Sequence, residues 1–330
     1  MKVGIIGYGK MGKLYHEAVN ELGLKLEFIC DVKNEVKNIS FFNDYKSAIN
    51  ASEVDIIIIS TYGPSHYEIL KYAIKKNIKH IICEKPFTTS LKHADDIINL
   101  LKNTEIKLSV GYLRRFSDAY SKLLIKLNEN KIIGNVNSIV ITSGAGGIST
   151  LGTHFIDLCT LIFSEKIKSI YAIPINKNYL NPRGKDFEDP GGYFILNFAH
   201  QKRAFIDMSD DLGVQPKIEI IGNYGRIEIN EIDKKIIGYS RNNEDKKKAM
   251  NFYGLNNEII LDELFNFESL NNLIKNLIKN LISNNELRIS TDIVREKVEA
   301  YSAIRESFDS QKIVNLPITG EYYEKEFKVT

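Results

Sequence analysis

The first twelve residues, Met1-Lys-Val-Gly-Ile-Ile-Gly-Tyr-Gly-Lys-Met-Gly12, constrain the fold more than any other stretch. Lys2–Ile6 is short, apolar and β-branched, which predicts a buried strand. Gly7, Gly9 and Gly12 then follow the spacing Gly-x-Gly-x-x-Gly, and an apolar-periodic segment through His16, Ala18 and Val19 predicts a helix. Each glycine has its own reason. The first permits a tight turn, the second lets backbone approach a pyrophosphate, and the third lets helix and strand pack closely. The helix N-terminus offers unpaired N–H groups and a positive dipole end to the phosphates.

A glycine triplet alone also suits a ligand-free turn, so its context decides. A second apolar strand, Leu24–Cys30, ends at Asp31, 19 residues beyond Gly12. An acidic side chain there accepts hydrogen bonds from an adenosine ribose. It would also repel a 2′-phosphate, which favours NAD over NADP, although Lys33 softens that repulsion.

Alternating strands and helices continue to about Gly111. Strands are expected at 54–60, 80–83 and 107–110, and helices at 10–21, 64–75 and 91–101. Nearly unbroken apolar strands suit a parallel sheet covered on both faces. Pro64 suits the first turn of its helix, and Thr89 or Ser90 the cap of the next. The ligand of such a doubly wound domain lies across the carboxyl ends of its strands. Three segments fall there: Ser60-Thr-Tyr-Gly-Pro-Ser-His66, Cys83-Glu-Lys-Pro86 and Gly111-Tyr-Leu-Arg-Arg-Phe116.

From about Asp118 the pattern changes. A helix (118–127), a strand through Ile133–Thr142 and a glycine-rich link at 144–147 precede an apolar helix from about Gly152 to Phe163. Strands with turn signals follow at 167–175, 192–198, 203–208, 217–222, 226–230 and 235–239. Two amphipathic helices, 270–282 and 291–308, close the chain, the first read as packed on the sheet. The expected fold is an α/β Rossmann domain (1–117) followed by an α+β domain (118–330). The second domain carries a large, mostly antiparallel sheet. Its uncovered face suggests a homodimer or homotetramer.

Composition excludes several classes. At 330 residues the chain accommodates two domains. A net charge of +2 without a long basic block argues against nucleic acid as partner, and Lys246–Lys248 reads as a solvated loop. Cys30, Cys83 and Cys159 read as small core residues in a reducing compartment, not as a disulfide or metal set. No secretory signal or apolar span is visible, so a cytoplasmic protein with no metal is expected.

The motifs together resemble the glucose–fructose oxidoreductase, inositol dehydrogenase and rhizopine-catabolism family (Gfo/Idh/MocA). The resemblance rests on Gly7–Gly12, the Thr61…His66 turn, Glu84-Lys85-Pro86, Gly111–Phe116 and Gly152-Thr-His-Phe-Ile-Asp157. It runs over nearly the whole chain. It implies a nicotinamide-dependent oxidoreductase acting on a sugar, polyol or sugar nucleotide. The role of a catalytic acid/base, or of a group that positions the reacting hydroxyl, carries onto Lys85. The helix histidine carries onto His154. Cofactor contacts are expected from Gly7, Tyr8, Gly9, Lys10, Met11, Gly12, Asp31, Ser60, Thr61, Tyr62, His66, Glu84 and Lys85. Substrate contacts are expected from Tyr112, Arg114, Thr150 and Asp157, with Asp157 orienting His154 or bonding backbone.

The residue types suit the chemistry. Oxidation of an alcohol needs a proton acceptor, and imidazole titrates near working pH. A partly desolvated Lys85 beside a cationic nicotinamide would share that task. One departure stands out: Thr150 occupies the position where many members carry Asp, four residues before the histidine. That argues against a plain inositol dehydrogenase. It keeps two further readings open: a glycoside-cleaving enzyme that uses NAD without net redox, and a dinucleotide-binding regulator without activity.

Overall fold

The computed structural model describes residues 1–329 apart from 34, 35, 130, 145, 176–183, 185, 186, 256, 284 and 285. The chain begins β1 (Lys2–Ile6), α1 (Lys10–Glu21), β2 (Lys25–Cys30), β3 (Ser40–Phe42), α2 (Tyr45–Ala51), β4 (Ile56–Ile59), α3 (Gly63–Lys75), β5 (His80–Cys83), α4 (Leu91–Leu101) and β6 (Lys107–Val110). These six strands form one parallel sheet in the order β3-β2-β1-β4-β5-β6. Order reverses between β1 and β4, the place where a crevice opens in such sheets. Val3, Ile5, Ile57, Ile58, Ile81 and Ile82 are wholly buried, because helices cover both faces.

A 3₁₀ turn (Leu113–Phe116) leads into α5 (Asp118–Asn128), β7 (Val136–Thr142), a π-helical turn (Ile148–Gly152) and α6 (Thr153–Phe163). Then come β8 (Ile167–Pro174), β9 (Gly192–Phe198), β10 (Arg203–Met208), β11 (Lys217–Gly222), β12 (Gly225–Asn230), β13 (Lys235–Arg241) and β14 (Asn257–Leu264). The chain closes with α7 (Leu270–Ile282), α8 (Thr291–Ser310), β15 (Val314–Asn315) and α9 (Glu321–Glu324). The second sheet runs β14-β13-β12-β11-β7-β10-β9-β8-β15, antiparallel except where β7 meets β10.

Burial alternates along its strands. In β9, Phe194, Leu196 and Phe198 face the helices, while Tyr193, Ile195 and Asn197 face away. Among the described residues no helix is long and apolar enough to cross a membrane.

Five of the elements were absent from the sequence reading. β3, β15 and the four-residue α9 are too short to carry a period, and α2 is a seven-residue helix fixed by Asp44, whose carboxylate accepts from the Ser47 N–H. β14 is an edge strand with one buried residue, so no alternation marks it. The helix α7 packs against α1 of the first unit, with Lys275 and Asn271 both bonded to Glu21. Its apolar stripe of Ile274, Leu277, Ile278 and Leu281 is buried there, each such side chain contributing about 1.5–3 kcal/mol. The chain's last segment also returns to the first unit, where the Phe327 N–H meets the Thr89 carbonyl. Ser90 caps α4 through backbone position only; its hydroxyl donates to the Glu324 carbonyl.

Candidate active site

The turn after β1 is built as its glycines require. Gly7 holds φ at +91°, and a Cβ there would lie 2.6 Å from Ser60 C and Thr61 N. A Cβ on Gly12 would lie 2.1 Å from the Gly7 carbonyl oxygen. Gly9 differs, since a Cβ there would meet nothing within 4 Å and the residue faces a cleft. The Ser60 hydroxyl donates to the Gly7 carbonyl at 2.7 Å, tying the ends of β1 and β4 together. The Asp31 carboxylate accepts from the Tyr8 N–H at 2.6 Å and the Lys33 N–H at 2.8 Å. These bonds hold it beside the turn.

The cleft, about 1520 Å³, runs along the carboxyl ends of the strands. Strand order sets out its wall: Asp44 after β3, Asp31 after β2, Gly7 to Met11 after β1, Ser60 to Tyr62 after β4, Glu84 and Lys85 after β5, and Gly111 to Arg114 after β6. The opposite wall comes from Leu151, His154, Phe187 and Glu231, and from Phe267 to Leu273. A single small-molecule site commonly occupies about 300–1,000 Å³, so this cleft has room for a dinucleotide and a second ligand. The glycine cradle fits the first: backbone is exposed at Gly9, and α1 begins at the next residue with no acidic side chain in its first turn.

Lys85 and His154 meet on this cleft from different units. The Lys85 ammonium donates to the Thr150 carbonyl at 2.6 Å, inside the π-helical turn that leads into α6. His154 follows in the first turn of α6, with the ring of Tyr112 edge-on at 5.9 Å. Burial, then the charges of Lys85 and Arg114, push the His154 pKa well below the ordinary imidazole value. The ring is therefore neutral at pH 7 and has a lone pair to accept a proton.

Asp189 braces this turn, accepting from the Ser149 N–H at 2.7 Å and the Thr150 N–H at 2.9 Å. It satisfies donors that a helix start leaves open.

Arg114 lies deeper along the wall, its guanidinium bidentate on Glu231 at 2.8 and 2.6 Å and stacked 5.1 Å from the Phe155 ring centroid. Tyr120 also donates to Glu231, at 2.7 Å. Burial opposes ionisation of Glu231, but Arg114 outweighs it and lowers the pKa. Burial raises the Glu84 pKa; its carboxyl accepts from the Tyr15 hydroxyl at 2.8 Å.

Not every residue expected at the site lines it. Gly7, Gly9, Lys10, Met11, Asp31, Ser60, Thr61, Tyr62, Glu84, Lys85, Arg114 and His154 do. Tyr8, Gly12, His66, Tyr112, Thr150 and Asp157 lie behind the wall. The Tyr8 hydroxyl bonds the His16 ring at 2.6 Å instead. His66 is wholly buried, between the Pro86 carbonyl at 2.8 Å and the Thr61 carbonyl at 3.2 Å, so it joins two loops of the wall. Thr150 contributes its carbonyl. Asp157 does not bond His154; it pairs with Arg115 at 2.8 and 3.0 Å and lies 4.0 Å from the buried Lys297 ammonium.

Sequence reasoning missed Asp44, Phe187, Asp189, Glu231 and Glu268. Asp44 carried a local signal as a helix cap. The others sit in turns and loops whose position only the folded second unit defines.

Comparison with known proteins adds to this geometry. Residues 1–112 match a family described as an oxidoreductase family with an NAD-binding Rossmann fold. An uncharacterized oxidoreductase of Bacillus subtilis, YrbE, is 26% identical over 249 residues, covering 67% of this chain and 71% of that protein. The myo-inositol 2-dehydrogenase of Thermotoga maritima is 24% identical over 254 residues, covering 69% of this chain and 74% of the relative.

Residues 1–112 match the NAD-binding Rossmann unit of the Gfo/Idh/MocA oxidoreductases, and the two relatives extend the likeness over about two thirds of the chain. The chain is an NAD-binding oxidoreductase of that type. A crystal structure of an oxidoreductase from Agrobacterium radiobacter, in complex with NAD+, L-tartaric acid and magnesium, shares the fold of this chain at a TM-score of 0.74. It is 19% identical, over 96% of this chain and 98% of that one.

Proposed function

We propose that the chain interconverts a secondary alcohol and a ketone on a sugar, polyol or sugar derivative, with Lys85 and His154 handling the proton. The observation that carries this is the convergence of those two side chains, from different units, on the cleft that also holds the glycine turn. Gly7 to Met11, Ser60 to Tyr62 and Glu84 would hold the dinucleotide. When bound, its nicotinamide supplies the acceptor or donor of hydride.

The chain's own residues do the rest. Lys85, a donor without acceptor capacity when charged, holds the substrate oxygen and stabilises negative charge on it. His154, kept neutral, takes the hydroxyl proton during oxidation and returns it in reduction. The Arg114–Glu231 pair offers a donor fork and carboxylate lone pairs to further hydroxyls. Leu151 and Phe187 narrow the cleft and displace water, which strengthens each polar contact. Asp31 and Asp44 together place two carboxylates where a 2′-phosphate would lie, so NAD is the favoured partner over NADP. Residues 1–117 form the cofactor unit and 118–330 the substrate and association unit, with α7 reaching back onto the first. The open sheet face, with Tyr193 and Phe205 about two-fifths exposed, suits pairing with a second copy.

A panel of sugars and polyols, assayed by NADH absorbance, tests this reading in one series with NAD and NADP. Lys85→Ala is expected to leave NAD affinity within a few-fold while turnover falls roughly 10²–10⁴-fold. Unchanged turnover would remove Lys85 from the mechanism, and equal use of both dinucleotides would remove the role given to Asp31 and Asp44. Sedimentation of the same preparation at the mass of one chain would contradict self-association.

A further inference from the structure

The cleft lining includes an apolar set from the approach and start of α7 and from the β12–β13 turn, here termed the annex: Phe267, Leu270, Leu273 and Ile232. Ile232 is 62% exposed and Leu270 is 39% exposed, although both are large apolar residues. Because they line a cleft together with Phe267 and Leu273, they offer an apolar ligand group a surface to bury against. Phe267 stands with its ring centroid 5.7 Å from that of Tyr120, which presents an aromatic wall next to the Arg114–Glu231 pair.

The charges of the annex narrow what fits. Two carboxylates face this part of the cleft, Glu231 and Glu268. Glu268 accepts from the Ser117 hydroxyl at 2.6 Å and the Asp118 N–H at 2.5 Å, so it caps the start of α5. Of the described lining cations, Lys10 and Lys33 follow β1 and β2, Lys85 donates to the Thr150 carbonyl, and Arg114 is engaged bidentately by Glu231. A diphosphate placed here would face two carboxylates, and the guanidinium beside them, Arg114, is already committed to Glu231, whereas buried or half-buried anions need pairing. A neutral polyhydroxyl ring has no such conflict. It donates to the carboxylates and leaves the apolar annex for a hydrophobic substituent.

Resting on the function proposed above, we infer that the substrate is an uncharged glycoside carrying an apolar or aromatic aglycone, and not a nucleotide sugar or sugar phosphate. The sugar lies against Lys85, His154 and the Arg114–Glu231 pair, and the aglycone lies on Phe267, Leu270 and Ile232. The reaction is the alcohol oxidation already described: two electrons and the carbinol hydrogen leave as hydride to NAD+, and the hydroxyl proton goes to His154.

The test uses the full chain saturated with NAD and three matched probes in the gluco, galacto and manno configurations: methyl glycoside, p-nitrophenyl glycoside and uridine-diphosphate sugar. Calorimetric binding and NADH formation are both read. In at least one configuration the p-nitrophenyl glycoside is expected to bind at least ten-fold tighter than its methyl counterpart, and the nucleotide sugar to bind weakest. The double variant Leu270→Asp/Ile232→Asp, both at exposed positions, is expected to bring the aryl-to-methyl affinity ratio near one. An aryl-to-methyl ratio near one in the unaltered protein overturns the inference, as does tighter binding of the nucleotide sugar or a ratio unmoved by the double variant. Aryl preference in binding without any NADH formation would keep the annex and sink the proposed redox reaction. NADH formation without aryl preference would do the reverse.

Discussion

The two walls of the cleft are built on different principles. The wall with the glycine turn is local: Gly7, Gly9, Gly12 and Asp31 lie within 25 residues of one another, and each answers to backbone geometry at its own position. The wall opposite is assembled from distant pieces. Leu151 comes from the π-helical turn before α6, His154 from the first turn of α6, Phe187 from a loop before β9, Glu231 from the β12–β13 turn and Phe267 from the approach to α7. A local wall tolerates little change and recognises a part shared by many ligands. An assembled wall can change one residue at a time, so specificity is expected to reside there.

Substitutions on the two walls should therefore fail differently. Gly12→Ala strikes the local wall and is expected to have the larger effect. Its Cβ would sit 2.1 Å from the Gly7 carbonyl oxygen. Relieving that overlap costs about 2–3 kcal/mol, up to about 100-fold in NAD affinity, with a lower melting temperature. Dinucleotide titration checks it, and unchanged affinity would show that helix and strand can move apart freely.

Glu231→Gln strikes the assembled wall. It keeps shape and removes the charge that holds Arg114. Substrate KM is expected to rise about ten-fold, equal to about 1.4 kcal/mol, while NAD affinity stays the same. An equal loss of NAD affinity would erase the distinction between the walls.

The same contrast explains what could be read before the fold was known. The Rossmann unit was readable because periodicity, glycine spacing and Asp31 all act over short range. Lys85 and His154 were marked by motifs, and the structure brings both to the cleft. The braces behind them were not readable. Nothing near Asp189 in sequence reveals that it will bond the N–H groups of Ser149 and Thr150, some 40 residues earlier. Asp157 shows the opposite problem: spacing on a helix suggested a partner for His154, while tertiary packing gave it Arg115 and Lys297. Strand β14 escaped notice because an exposed edge carries no apolar alternation.

The claim that Lys85 and His154 work as one proton-handling pair makes a direct demand on the histidine. In the folded protein its pKa is depressed, so the neutral ring persists as pH falls below the ordinary value of about 6.5, and proton-accepting ability is lost only at more acid pH. Removing the Lys85 charge should shift that titration upward, because burial and Arg114 then act alone. Imidazole signals of His154, assigned by comparison with His154→Asn and followed by NMR against pH, measure it in the unaltered protein and in Lys85→Met. The account predicts titration below the ordinary range in the first and a clear rise in the second. Titration near 6.5 in both would show that the two side chains do not sense one another, and the shared site would not stand.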